Sequence, residues 1–227
     1  MKVWIPLESN PELITKYAGE LGMGPGYEFQ EILSLELLEM VPRPVYAVVL
    51  LFPLTEKIVS ASEEREKENL DQSVSSSAPE QPFFCRQTIS NACGTIAVLH
   101  SVTNNMDKLS IRPDSFFKKF FDETISMNPS KRAEALQNNE ELEASQEKFS
   151  KEGETAAPDR HDPLDTHFIA FVESSNKLVE LDGRKASPID HGDTSPDSLL
   201  EDAARIIKEK FMAMDPSELR FTMMALV

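Results

Sequence analysis

From Val45 to Leu54 the chain reads Val-Tyr-Ala-Val-Val-Leu-Leu-Phe-Pro-Leu, with no charged residue and no alternation of apolar with polar positions. A strand with one face in water alternates, whereas an unbroken apolar run of this length reads as a central strand covered on both faces. A chain that carries it must supply packing layers on both sides of a sheet. A second run, Thr95-Ile-Ala-Val-Leu99, makes the same demand as a helix, because it would be buried on every side.

The cover is legible elsewhere in the chain. Asn10 with Pro11 caps a helix to about Leu21, and its Leu13, Ile14, Tyr17, Ala18 and Leu21 fall on one face. Gly22, Gly24, Pro25 and Gly26 then force a turn. The charged stretch from Glu56 to about Asp71 is predicted helical. Phe116, Phe117, Phe120 and Phe121 recur at helical spacing, Pro129 opens a further helix, and Asn138 to Phe149 forms another. Pro196 begins the last helix, where Leu199, Leu200, Ala203, Ile206, Ile207 and Phe211 make one stripe. Strands are predicted at Lys2–Leu7, Tyr27–Ile32 and Phe221–Val227, with a short helix at Leu35–Met40 stopped by Pro42 and Pro44. The fold class is therefore α/β in the α+β sense: a central, mainly antiparallel sheet flanked by helices on both sides.

Two segments have no means of packing a core. The Ser-rich stretch at about 72–82 reads as a mobile surface loop. Ser150 to Asp165 is a long polar segment with Gly153, Pro158 and Pro163, and such loops often act as lids. With 227 residues, 40% of them hydrophobic, one substantial core and one domain over residues 1–227 are expected.

Charge and composition exclude several functions. A net charge of −16 leaves no basic surface for phosphates, so nucleic acid is not an expected partner. No run approaches the ~18 apolar residues of a membrane span, and the opening Met-Lys-Val-Trp-Ile-Pro lacks the apolar core of a secretory leader. Two cysteines leave no room for a disulfide framework, which fits a reducing cytosol. A cytoplasmic, monomeric protein is expected, with access to the nucleus. No cofactor is expected, and no metal: His161 stands in a polar loop without a ligand set around it.

The chemistry gathers between Gln87 and His100. Ser90 and Asn91 suit an N-cap and place a helix start near Ala92, which puts Cys93 in the first turn. There the unpaired N–H groups and the helix dipole favour an anion, and a thiolate is one. Gly94 leaves room for a substrate backbone. The Gln87 side-chain N–H and the Cys93 backbone N–H can together form an oxyanion hole, while Cys85 reads as a packing residue. Downstream, two apolar strands flank the polar turn Glu173–Asn176. With the turn centred between Ser174 and Ser175, His167 and Asp182 are directly opposed on one face, with Cβ atoms roughly 5 Å apart. A Cys at a helix start, a His to take its proton and an Asp to fix the tautomer make a thiol-hydrolase triad.

Three blocks, Gln87-Thr-Ile-Ser-Asn-Ala-Cys-Gly-Thr95, Asp165-Thr-His-Phe-Ile169 and Glu180-Leu-Asp-Gly-Arg-Lys185, resemble the active-site blocks of the ubiquitin carboxyl-terminal hydrolases. The resemblance runs from Trp4-Ile-Pro-Leu-Glu-Ser-Asn-Pro11 to Glu218-Leu-Arg-Phe-Thr222. It is nearest to the short, single-domain members that also act on Nedd8. It implies a papain-like fold with a knotted backbone and release of small adducts or short unfolded extensions from the ubiquitin C-terminus. Carried over by position, Cys93 is the nucleophile, His167 the general base and acid, Asp182 its orienter and Gln87 the oxyanion donor. The resemblance also implies that Ser150–Asp165 crosses the active-site cleft.

Ubiquitin contacts are implied in three segments: Pro6, Leu7, Glu8, Ser9, Asn10 and Pro11; Ser150, Lys151, Glu152, Gly153, Glu154, Thr155, Ala156 and Ala157; and Ser217, Glu218, Leu219, Arg220, Phe221 and Thr222. Their acidic members suit ubiquitin's arginine-rich tail. Two other readings compete. One is a module that binds and protects ubiquitin without turnover. The other is a redox thiol protein, which the wide separation of Cys85 and Cys93 disfavours.

Overall fold

The structure is a computed structural model that describes residues 2–73, 81–154, 162 and 164–227. Most of the loop expected at about 72–82 lies outside the described residues, as do Thr155, Ala156, Ala157 and His161 of the expected crossover loop.

Six strands form one antiparallel sheet: β1 (Phe29–Glu31), β2 (Ala47–Pro53), β3 (Thr166–Ser174), β4 (Lys177–Leu181), β5 (Ile189–Asp193) and β6 (Thr222–Leu226), in the spatial order β1-β6-β2-β3-β4-β5. The apolar run places β2 inside the sheet, paired with β6 on one side and β3 on the other. Its alternate residues serve two cores. Ala47 and Val49 join one with α1 (Pro11–Leu21), α3 (Cys93–Thr103), α4 (Phe116–Thr124), α5 (Pro129–Gln137) and α6 (Glu140–Phe149). Val48, Leu50 and Phe52 join the other with α7 (Leu199–Lys210) and Ile58 of α2 (Glu56–Ser73). Two buried faces explain why the run shows no alternation.

Capping chemistry sets several helix starts. Asn10 Oδ1 accepts the Leu13 N–H at 3.1 Å, with Pro11 at the first helical position, as expected for α1. Asn128 and Asn139 cap α5 and α6 in the same way. Gly22 ends α1 at φ 123°, where a Cβ would come within 2.1 Å of Ser115 Oγ.

Four expectations are corrected. Lys2–Leu7 is no strand and contributes only a parallel bridge, Val3 to Ser90. Pro196 lies in a turn ahead of α7, which starts at Leu199, because Ser195 and Ser198 bond each other through backbone and hydroxyl groups. Strand β5 was not expected at all, since Ile-Asp-His-Gly-Asp carries one apolar residue. The β3–β4 turn is centred one residue later than expected. Ser175 and Asn176, at φ 53° and 62°, form a two-residue turn with Ser174 opposite Lys177. Left-handed residues at both positions match the twist of the flanking strands, and Asn tolerates that conformation well.

The α1 terminus provides a test of this packing. Gly19 has nothing within 4 Å of an added Cβ, so Gly19→Ala is expected to stabilise the protein by about 0.5–1 kcal/mol. Gly22→Ala, at the left-handed cap against Ser115, is expected to destabilise it by more than that. Urea unfolding of both variants reads the difference, and equal effects of one sign contradict the assigned helix end.

Candidate active site

Helix α3 is buried at every residue from Cys93 to Thr103, and it lies against β3. Its start departs from expectation. Ala92 occupies the cap position without a side-chain bond. Asn91, at φ 64°, donates its amide N–H to the Trp4 carbonyl, and Ser90 exchanges backbone bonds with Lys2 and Trp4. These residues therefore anchor the N-terminal segment and leave the first turn of the helix uncapped. Cys93 sits in that turn, 5% exposed. A Cβ on Gly94 would stand 3.4–3.5 Å from Leu7 and Phe168, filling the space between them.

His167 and Asp182 meet as the hairpin was expected to bring them, by a different register. A turn moved by one residue shifts cross-strand pairing by two, which keeps each side chain on its own face. Asp182, just beyond β4, thus remains on the His167 face, diagonal to it and not directly opposed. The His167 Nε2 to Asp182 Oδ1 distance is 2.7 Å, and both residues are buried. Asp182 Oδ1 also accepts the Arg184 N–H at 2.9 Å, and Phe52 meets the imidazole edge-on at 5.7 Å. The other ring nitrogen, Nδ1, is buried without a hydrogen-bond partner at full geometry, yet the Cys93 thiol acts on the ring.

Electrostatics couple the three groups. Burial opposes the Cys93 thiolate, but His167, the Phe168 backbone N–H and Arg184 outweigh it and lower the thiol below its ordinary pKa. Burial likewise opposes the His167 imidazolium, while Asp182 and Cys93 raise its pKa to about 9. Asp182 is lowered despite its own burial, by His167, the Arg184 N–H and Lys185. The imidazolium's contribution to stability is present in full below pH 6.5, its ordinary pKa, and lost as the pH rises through about 9. Cys85 behaves oppositely: burial outweighs the opposing charge of Arg132 and pushes its thiol up to about 12. The arrangement can hold a thiolate–imidazolium pair at neutral pH.

Gln87 stands beside this group. Its backbone N–H donates to the Gly183 carbonyl at 2.8 Å, tying it to the turn that carries Asp182. One side-chain N–H goes to the Ile89 carbonyl at 3.0 Å, which leaves the second for another acceptor.

Of the three segments implied for ubiquitin contact, the structure brings two to Cys93. Pro6, Leu7, Glu8, Ser9, Ser150 and Gly153 line one open cleft together with Cys93, Gly94, Thr166 and Phe168. Glu8 accepts the Glu154 N–H at 2.7 Å, and its carboxylate lies so close to Gly153 that a Cβ there would collide. Asn10 and Pro11 are engaged in starting α1, Lys151 pairs with Glu147, and Glu152 is exposed. The third segment stands apart. Glu218, Leu219 and Phe221 line a separate groove with Leu33, Leu35 and Met223, while Ser217 bonds Asp215 and Thr222 enters β6. Its link to the cleft side is the ion pair between Arg220 and Asp165.

Sequence reasoning missed helix α2 as a support. Lys185 Nζ donates to the Ser62 carbonyl at 3.1 Å and pairs with Glu66 at 3.3 Å, and Glu66 also accepts the Ala186 N–H. Asn69 bonds the Pro188 carbonyl and the Asp190 N–H. A charged helix thus fastens the loop that follows Asp182. Its composition alone carried no such signal.

Comparison with known proteins shows the family. The family model described as ubiquitin carboxyl-terminal hydrolase, family 1, matches residues 4–213. A ubiquitin carboxyl-terminal hydrolase of Drosophila melanogaster is 43% identical over 228 residues, covering 100% of this chain and 98% of that protein. Isozyme L1 of Homo sapiens is 37% identical over 223 residues, covering 97% and 96% respectively. Among solved structures, the UCH37 catalytic domain of Trichinella spiralis bound to ubiquitin vinyl methyl ester superposes with a TM-score of 0.77 at 25% identity, covering 100% of this chain and 96% of that one. With this match along nearly all of its length, the chain belongs to family 1 of the ubiquitin carboxyl-terminal hydrolases, cysteine-type deubiquitinating enzymes.

Proposed function

We propose that the enzyme cleaves small adducts and short unfolded extensions from the C-terminal glycine of ubiquitin through Cys93, His167, Asp182 and Gln87. The observation that carries this reading is the 2.7 Å His167–Asp182 bond beside a buried thiol whose pKa is lowered. The Cys93 sulfur bonds to the glycine carbonyl carbon, and the electron pair moves to the carbonyl oxygen. That oxyanion accepts the free Gln87 side-chain N–H and the Cys93 backbone N–H. As the carbonyl re-forms, His167 gives its proton to the departing amine or thiol, leaving a thioester. Water, deprotonated by His167, then adds to the thioester and releases ubiquitin with the thiolate restored. Asp182 holds the imidazole throughout.

Ubiquitin is the partner this reading requires, and Nedd8 is proposed as a second substrate. Two solved structures of one relative support the first: Trichinella spiralis UCH37 carries ubiquitin vinyl methyl ester in both. The enzyme is proposed to act as a monomer, as one catalytic domain over residues 1–227, in the cytoplasm and nucleus, a setting that suits two free cysteines.

Cys93→Ala is expected to abolish hydrolysis of a fluorogenic C-terminal amide of ubiquitin while leaving ubiquitin binding intact. Gln87→Ala is expected to lower kcat about 100-fold or more, and Asp182→Asn by orders of magnitude. Retained turnover without Cys93, or parent rates in both other variants, contradicts the assigned roles.

Substrate size follows from the cleft. Glu8 bonds the Glu154 N–H and lies against Gly153 beside the cleft that Cys93 lines, and this contact supports a limit on substrate size. The parent enzyme is expected to cut the C-terminal amide far faster than Lys-linked diubiquitin, and a Gly/Ser insertion between Glu152 and Gly153 is expected to narrow that gap. Equal rates on both substrates in the parent enzyme refute the size limit.

A further inference from the structure

One buried side chain outside the four reacting groups touches the neighbourhood of three of them. His100 lies on α3 about two turns beyond Cys93 and is 0% exposed. Its Nε2 accepts the Cys85 N–H at 3.0 Å, which requires that nitrogen to be unprotonated. Its Nδ1 has no partner at full hydrogen-bond geometry, and the carbonyl of Leu181, next to Asp182, acts on the ring. The imidazole stacks on Phe84, with centroids 5.2 Å apart and planes at 19°. Burial, with a contribution from Arg132, holds its pKa down to about 4, so it remains a neutral acceptor at working pH.

The peptide unit that carries the Cys85 N–H is held on its carbonyl side by Arg132, whose Nη1 donates to the Phe84 carbonyl at 2.9 Å, and His100 is its hold on the N–H side. The Gln87 N–H is fixed by Gly183, and the Arg86 N–H reaches the Pro129 carbonyl at 3.5 Å. Without His100, the Cys85 N–H loses its partner inside the core. A Leu or Phe in place of His100 fills the space and cannot accept that N–H. We propose that His100 is a positioning residue for the hydrolysis, fixing the Cys85–Gln87 segment so that the Gln87 amide is aimed at the developing oxyanion.

The proposal rests on Gln87 acting as an oxyanion donor, and its test separates the two ideas. Steady-state rates on the fluorogenic ubiquitin amide, per mole of folded enzyme counted by circular dichroism, are compared for His100→Leu, His100→Gln, Gln87→Ala and the pair His100→Leu with Gln87→Ala. His100→Leu is expected to lower kcat about tenfold or more with KM unchanged, because a misplaced group about 1 Å away costs rate and not binding. His100→Gln, whose amide oxygen reaches the position of Nε2, is expected to recover most of that loss. In the Gln87→Ala background, His100→Leu is expected to cost little further, since both changes disable one donor. If His100→Leu fails to fold, His100→Asn, too short to reach the Cys85 N–H, takes its place in each comparison. An unchanged kcat, a Gln variant as slow as the Leu variant, or losses that multiply in the double variant overturns the proposal alone. A parent rate in Gln87→Ala overturns the oxyanion reading, and this proposal with it.

Discussion

A buried thiolate survives only where positive charge stands beside it, and the end of this molecule that holds Cys93, His167 and Asp182 is arranged around that requirement. Burial raises the free energy of the Cys93 anion and of the His167 cation alike. Each is tolerable because the other is present, and because Asp182 lies 2.7 Å from the imidazole. The compensation continues outward. Asp182 is stabilised by the Arg184 N–H and Lys185, and Lys185 is held by Ser62 and Glu66 of α2. A line of alternating charge therefore runs from the thiol to the surface, and removing one member exposes the next to an uncompensated burial cost.

The sheet makes this line possible by having two covered faces. Cys93 arrives in the α3 layer with Phe168, whereas His167 shares its face with Ile169 and Phe52, in the layer covered by α7 and α2. Cys93 and His167 approach from opposite sides at the N-terminal end of β3. A sheet with one face in water offers only one of these layers. The apolar run in β2 thus bears on more than stability: it goes with helices on both sides of β3, the strand that carries His167.

Much of this was legible in the sequence, and the failures have identifiable causes. The β2 run, the Asn10–Pro11 helix start and the Phe116–Phe121 spacing are read correctly because periodicity and capping act within one element. The pairing of His167 with Asp182 was found through a wrong register, which succeeded because an even slip preserves the face. Ser90 and Asn91 failed as caps because the N-terminal segment competes for their bonds, a tertiary effect that no local rule contains. Strand β5 and the α2 clasp were invisible for the same reason: neither Ile-Asp-His-Gly-Asp nor a charged helix declares its partner. His100 follows the apolar run Thr95–Leu99 inside α3, which continues to Thr103, and its partner, the Cys85 N–H, lies outside the helix where helical spacing gives no sign of it.

On the proposed mechanism, His167 and Asp182 keep Cys93 ionised in a buried setting. The measurement that tests it most directly is the pH dependence of Cys93 alkylation by iodoacetamide, followed by peptide mass in the parent and in Asp182→Asn. The expected thiolate titrates well below the ordinary thiol value of about 8.5, moves upward in Asp182→Asn, and is accompanied by no reaction at Cys85, whose thiol is held near 12. A Cys93 that titrates at its ordinary value in both proteins contradicts the account.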